Sequence, residues 1–149
     1  MKKTMALLVI ILIPMVSTTT IGVDDSITID PSEPNGENGW YISDVQVTFH
    51  AYDSPLDSSG LAYIHYRITK NGEESEWQHY EIEGFTTEYD FTVHLSDDGV
   101  YLVEFYAEDH AGNKGPIHST PEIRIDKTPP MSTITVPKEG YIYLNGKES

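Results

Sequence analysis

Two acidic segments carry the strongest chemical suggestion in this sequence. Asp53 and Asp57 stand just ahead of Ser58-Ser59-Gly60, and Glu108, Asp109 and Asn113 fall within Glu108-Asp109-His110-Ala111-Gly112-Asn113. Carboxylates, a side-chain amide and backbone carbonyls are the hard oxygen donors that Ca²⁺ takes, usually about six to eight at a time. Two loops can supply such a set only if the fold brings them to one end. Asp53, Asp57, Asp109 and Asn113 are the candidate metal ligands, and Ca²⁺ is the one cofactor the sequence suggests. The spacing is not that of an EF-hand, however. The same residues are good turn formers, with Asp109 bonding its own loop backbone and Gly112 and Asn113 completing the turn. Both readings stand at this point.

Other chemistry is thinner. None of the six histidines sits in a His-x-x-x-His or His-Glu-x-x-His arrangement, and His50, His65 and His94 fall on outward strand positions, as surface imidazoles do. Tyr52, Tyr63, Tyr80 and Tyr106 fall opposite the apolar phase or near it, and Trp40 and Trp77 lie near strand ends. Such rings can stack on sugar faces, making polysaccharide a candidate partner, or can pack against cross-strand neighbours and the next module. Cysteine is absent, which excludes thiol catalysis, zinc–thiolate sites and disulfides. With no Gly-x-Ser-x-Gly, no phosphate-cradling glycine loop and no dinucleotide fingerprint, intrinsic catalysis is not expected.

The elements that must position these residues are strands. Val45, Val47, Phe49 and Ala51 alternate with Gln46, Thr48 and His50; Ala62, Ile64, Tyr66 and Ile68 alternate with Tyr63, His65 and Arg67. Tyr89, Phe91, Val93 and Leu95 repeat the pattern, as do Tyr101, Val103, Phe105 and Ala107, and then Ile123 and Ile125. Period-two alternation marks a strand with one buried face. Asn71-Gly72 predicts a tight hairpin, and Ser59-Gly60, Asp98-Gly99 and Gly112-Asn113 mark other joins. With a first strand near Ser26–Asp30 and a short one near Trp77–Ile82, the total is about seven. That is the count of an immunoglobulin-like antiparallel β-sandwich, an all-β fold. In such a sandwich the loops holding Asp53 and Asp109 lie at the same end.

The ends bound the domain. Met1-Lys2-Lys3, the apolar run Met5 to Val16 and the small residues Ser17 to Gly22 predict a secretory signal over residues 1–23, or an uncleaved anchor that would give the chain its only membrane contact. The sandwich is expected over 24–128. Pro129-Pro130 then reads as a stiff spacer, and Ser132-Thr133-Ile134-Thr135-Val136-Pro137 echoes Ser26-Ile27-Thr28-Ile29-Asp30-Pro31, so 129–149 reads as a linker and the start of a second repeat. The formal charge is −15; setting aside Lys2 and Lys3 leaves seven Lys and Arg against twenty-four Asp and Glu, near −17. That balance opposes binding to nucleic acid and to anionic membrane surfaces.

Asp97-x-Gly99-x-Tyr101-x-Val103 resembles the immunoglobulin signature Asp-x-Gly-x-Tyr-x-Cys, with valine where the cysteine would stand. The resemblance implies that Tyr101 bonds back to nearby backbone, and that Tyr66 or Ile64 fills the place of the usual buried tryptophan. Asn38-Gly39-Trp40-Tyr41, Ser59-Gly60-Leu61, Tyr66-Arg67, Trp77-Gln78-His79-Tyr80, Asp98-Gly99-Val100-Tyr101, Ala107-Glu108-Asp109-His110-Ala111-Gly112-Asn113 and Ile125-Asp126-Lys127-Thr128-Pro129-Pro130 follow in the order found in Ig-like repeats of bacterial and archaeal surface and secreted proteins. That resemblance implies a secreted or cell-surface module acting as a structural spacer or adhesion domain, with neighbouring modules or other surface proteins as partners. Such repeats also serve as accessory parts of secreted enzymes, here a hydrolase whose catalytic part is absent, and the acidic loops and outward rings leave a Ca²⁺- or polysaccharide-binding module as the alternative reading. Fold alone does not choose among them.

Overall fold

Alternating apolar residues become nine antiparallel strands in a computed structural model that describes residues 25–54 and 58–131. They are β1 (Ser26–Asp30), β2 (Val45–Tyr52), β3 (Leu61–Lys70), β4 (Glu73–Glu74), β5 (Gln78–Glu81), β6 (Glu88–Leu95), β7 (Gly99–Asp109), β8 (His118–Ser119) and β9 (Ile123–Ile125). One sheet, here sheet A, has the order β1-β2-β6; sheet B is built on the β3–β7 pair, with β4 and β5 on β3 and β8 and β9 on β7. The chain is therefore an all-β sandwich. Its helical content among the described residues is a single 3-10 turn, Glu37–Gly39, and none of these residues forms a helix long and apolar enough to cross a membrane. The two-residue strands β4 and β8 go beyond the seven expected; two residues cannot display an alternation. The 1–23 signal segment and the second-repeat start at 132–149 lie outside the described residues.

Each sheet turns its apolar phase inward. Val45, Val47, Phe49 and Ala51 of β2 face Val103, Phe105 and Ala107 of β7, all buried. Phe49 and Phe105 stack across the gap with ring centroids 5.1 Å apart and planes within 4°, which ties the two sheets through their centre. Burying a Phe side chain contributes about 1.5–3 kcal/mol, and a ring pair adds about 0.5–1.5 kcal/mol. Of the two candidates for the inner position on β3, Ile64 is fully buried. Tyr66 is half-buried at the side of the sandwich, where its ring packs on Phe91 at 5.1 Å and its hydroxyl donates to Gln78. Tyr80 and Tyr89, whose hydroxyls bond at 3.0 Å, continue that side wall. The opposite side is closed by His118, which packs on Phe49 with its Nε2 3.7 Å from the buried Asp25 carboxylate.

Asn71 and Gly72 form the predicted hairpin turn between β3 and β4, both at positive φ (52° and 86°). Asn71 also exchanges backbone and side-chain hydrogen bonds with Val100, which anchors the turn to the start of β7.

Candidate functional site

The loops after β2 and β7 do meet at one end. Leu61 pairs with Asp109, the His110 amide donates to the Gly60 carbonyl at 3.0 Å, and the Ala111 amide donates to the Ser59 hydroxyl at 3.1 Å. A third segment closes over them: the Asp53 and Leu61 amides donate to the carbonyls of Thr87 and Thr86. Gly60 (φ +84°) is required here, because a Cβ would stand 2.8 Å from the Phe85 ring.

Asp53 and Asp109 are both buried, 0 % and 2 % exposed. Asp109 is held by its own loop. Its Oδ1 accepts from the Ala111 amide (3.0 Å) and the Asn113 amide (2.7 Å), and its Oδ2 accepts from the Asn113 side-chain amide (2.9 Å). Asp109 and Asn113 are thus brought together as turn partners. Asp53 Oδ2 accepts from the Gly60 amide at 3.0 Å, and Ser58 and Ser54 also bond toward the buried carboxylate. Burial, with the Asp109 charge beside it, raises the Asp53 pKa against the lowering effect of its hydrogen bonds. Asp57 lies outside the described residues. Glu108 does not join this end: it sits on β7 facing outward and accepts from His65 Nε2 at 2.7 Å. It lies one residue before Asp109, and alternate side chains on a strand point to opposite faces. Among the described residues no three His, Asp or Glu side chains gather as a metal-holding group.

At the other end, the turn into β7 organises where the chain leaves. The Tyr101 hydroxyl donates to the Asp97 carbonyl at 2.8 Å, Lys70 Nζ lies 3.6 Å from the Asp97 carboxylate, and Gly99 packs against the Lys70 side chain. Asp98, between them, accepts from the Lys127 amide at 2.8 Å and from the Thr128 hydroxyl. These bonds hold its pKa below the usual value. Lys127 Nζ reaches Asp44 in turn, and the Thr128 amide donates to Asp126. Just upstream, Tyr41 bridges β9 in parallel through hydrogen bonds with Arg124 and Asp126. The segment 126–128 is thereby bound to the sandwich at several points before Pro129-Pro130.

The third grouping covers the outer face of sheet B. Tyr63, His65 and Arg67 of β3 lie beside Glu108, Tyr106 and Glu104 of β7 and beside Glu81 and His79 of β5. Tyr106 stacks on His65 (4.4 Å, 12°) and meets the edge of Trp77 at 5.0 Å. Arg67 lies over the Trp77 ring at 4.8 Å while its guanidinium donates to Glu104 and Glu74. Of the aromatic residues with outward or strand-end positions, Tyr63, Trp77 and Tyr106 come together here. Tyr80 belongs to the side wall, Tyr52 to the end of β2, and Trp40 lies under Arg124 at 5.9 Å.

No protein-family model matches this chain, and no curated protein is similar to it in sequence.

Proposed function

We propose that this chain is a non-catalytic, immunoglobulin-like module displayed outside the cell, serving as a spacer or interaction domain between neighbouring modules. The immunoglobulin-like reading is supported by the strand distribution: β1, β2 and β6 lie in one sheet and β3, β7, β8 and β9 in the other, so the chain crosses between sheets after β2, before β6 and after β6. The Tyr101–Asp97 bond lies where that fold places its tyrosine corner. The observation that carries the spacer reading is the binding of residues 126–128 to Asp98 and Asp44. A spacer transmits orientation only if the chain leaves it in a fixed direction. A free linker would let the next module swivel, whereas hydrogen bonds at Lys127 and Thr128 followed by two prolines give a stiff exit. Extracellular placement is supported by the signal-like pattern of residues 1–23.

Hydrogen–deuterium exchange on the full chain tests this reading. The Lys127 amide should be protected in the native protein, and Asp98→Ala should remove that protection while the β3 and β7 amides stay protected. Exchange of the native Lys127 amide at the rate of a free tail would contradict it.

A further inference from the structure

The outer face of sheet B carries more ring surface than a solvated sheet face requires, and part of it forms a notch. Trp77, Tyr106, Lys114, Gly115 and Ile117 line a cavity of about 300 Å³. Trp77 and Tyr106 meet at 66°, so they make two walls of a corner; Ile117, 56 % exposed, offers a third apolar surface. The walls are fixed. Arg67, itself bonded to Glu104 and Glu74, backs Trp77, and His65, bonded to Glu108, backs Tyr106. Lys114 Nζ lies over the Tyr106 ring, 5.9 Å from its centroid. Arg67, Lys70, Arg124 and Lys127 each pair with a carboxylate, and among the described residues Lys114 is the one Lys or Arg that does not. In a chain of formal charge −15, a cation left without an acid is conspicuous.

We propose that this notch binds one pyranose unit of a neutral polysaccharide. The C–H face of the sugar would lie against Trp77 with its edge toward Tyr106, and a hydroxyl or ring oxygen would accept from Lys114. Apolar rings beside a polar side chain are the composition of a sugar-binding surface, here an open surface depression with Lys114 as its one charged lining residue. Rings held in place beforehand lose little freedom when the ligand arrives. Charge decides between glycans: the chain's net negative field disfavours a polyuronate as it disfavours nucleic acid, leaving uncharged oxygens as the acceptors for Lys114. This inference is independent of the spacer reading, since the notch is built on β7, the segment before β5 and the loop after β7, away from the Asp98 contacts.

The test uses the full chain with Trp40→Phe, so that Trp77 is the sole tryptophan. Cellohexaose, xylohexaose and mannohexaose are titrated separately, followed by Trp77 fluorescence, with hexagalacturonate as the charged counterpart. At least one neutral hexamer should shift the emission with a Kd of about 0.1–1 mM. Tyr106→Ala should weaken that binding by about tenfold or more. Lys114→Gln, an exposed change that leaves the ring walls intact, should weaken it by several-fold, and hexagalacturonate should bind more weakly than the neutral hexamer. Three outcomes would overturn the proposal: no emission change with any neutral hexamer, binding indifferent to both substitutions, or a Trp77 shift that follows protein concentration alone and marks the notch as a contact between copies of the chain.

Discussion

The two outer faces of this sandwich share one backbone geometry and carry different chemistry. On sheet A, Thr28, Thr48 and Thr92 stand side by side across β1, β2 and β6, with Ser26, His50 and Asp90 forming the next row. Short polar groups bond to one another there: the Thr48 and Thr92 hydroxyls at 2.8 Å, the Thr28 hydroxyl with His50 at 2.9 Å, and His50 with Asp90 at 2.7 Å. On sheet B the equivalent positions hold Tyr63, His65, His79 and Tyr106, with Trp77 beside them. An antiparallel sheet with one solvated face needs only polar side chains outside, and sheet A meets that need. Sheet B goes beyond it and leaves a walled notch. The difference is what the proposed contact surface rests on: the outward rings of sheet B leave apolar area exposed, whereas the Thr, His and Asp rows of sheet A bond to one another.

The comparison breaks most completely if the shared interior is damaged. Phe105→Ala should cost about 3–5 kcal/mol in chemical denaturation, because it removes the ring that stacks on Phe49 between the sheets, and it should degrade both faces together. A smaller perturbation separates the faces. Trp77→Ala should cost about 1–2 kcal/mol through its lost ring and guanidinium partners, while Thr48→Val on sheet A should stay within about 0.5 kcal/mol. Equal effects would mean that the rings of sheet B are no better packed than the hydroxyls of sheet A.

The buried carboxylates sharpen the contrast between the two ends of the sandwich. Burial and Asp109 raise the folded-state pKa of Asp53 above its unfolded value, so between those two values the native state binds more protons than the unfolded state. Stability should therefore fall as pH rises from about 3.8 through the folded pKa. Asp53→Asn keeps an acceptor for the Gly60 amide and removes the charge, and it should raise Tm at neutral pH by roughly 2–5 °C. A native Tm that instead rises on adding Ca²⁺, falls with EDTA and loses both responses in Asp53→Asn would establish the calcium reading of this end.

Asp98 at the opposite end behaves with the opposite sign. Its folded pKa is depressed by the Lys127 amide and the Thr128 hydroxyl, so its contribution is complete above about pH 3.8 and lost as pH falls through the folded value. The expected signal is local and is the smallest of the set: the Lys127 amide resonance should move in that acid window and be unresponsive in Asp98→Asn.

Most of the fold was legible because each long strand buries one face. The period-two runs of Val45–Ala51, Tyr89–Leu95 and Tyr101–Ala107 needed no knowledge of their partners to declare which side faces the core. The Tyr101 bond to the Asp97 carbonyl was implied by the resemblance of Asp97-x-Gly99-x-Tyr101 to the immunoglobulin signature. Asp98 was missed as the anchor of the exit segment, since its partners Lys127 and Thr128 are 29 and 30 residues distant and only the β7–β9 pairing brings them together. The notch was half legible. Alternation put Tyr63 and Tyr106 outside, but which rings meet depends on the register of β3 with β5 and β7. That register sends Tyr80 to the side wall and leaves Trp77 beside Tyr106. Glu108 adjoins Asp109 in sequence, yet β7 runs on through Asp109 and the pleat sends the two carboxylates to opposite faces.

The most direct test of the central claim, that sheet B presents the working face, is an NMR titration of the isotope-labelled chain with the neutral hexasaccharides. Chemical-shift changes should centre on Tyr63, His65, Trp77, Tyr106 and Lys114 and leave Thr28, Thr48 and Thr92 unmoved. Changes centred on the threonine rows of sheet A, or none on either face, would contradict it.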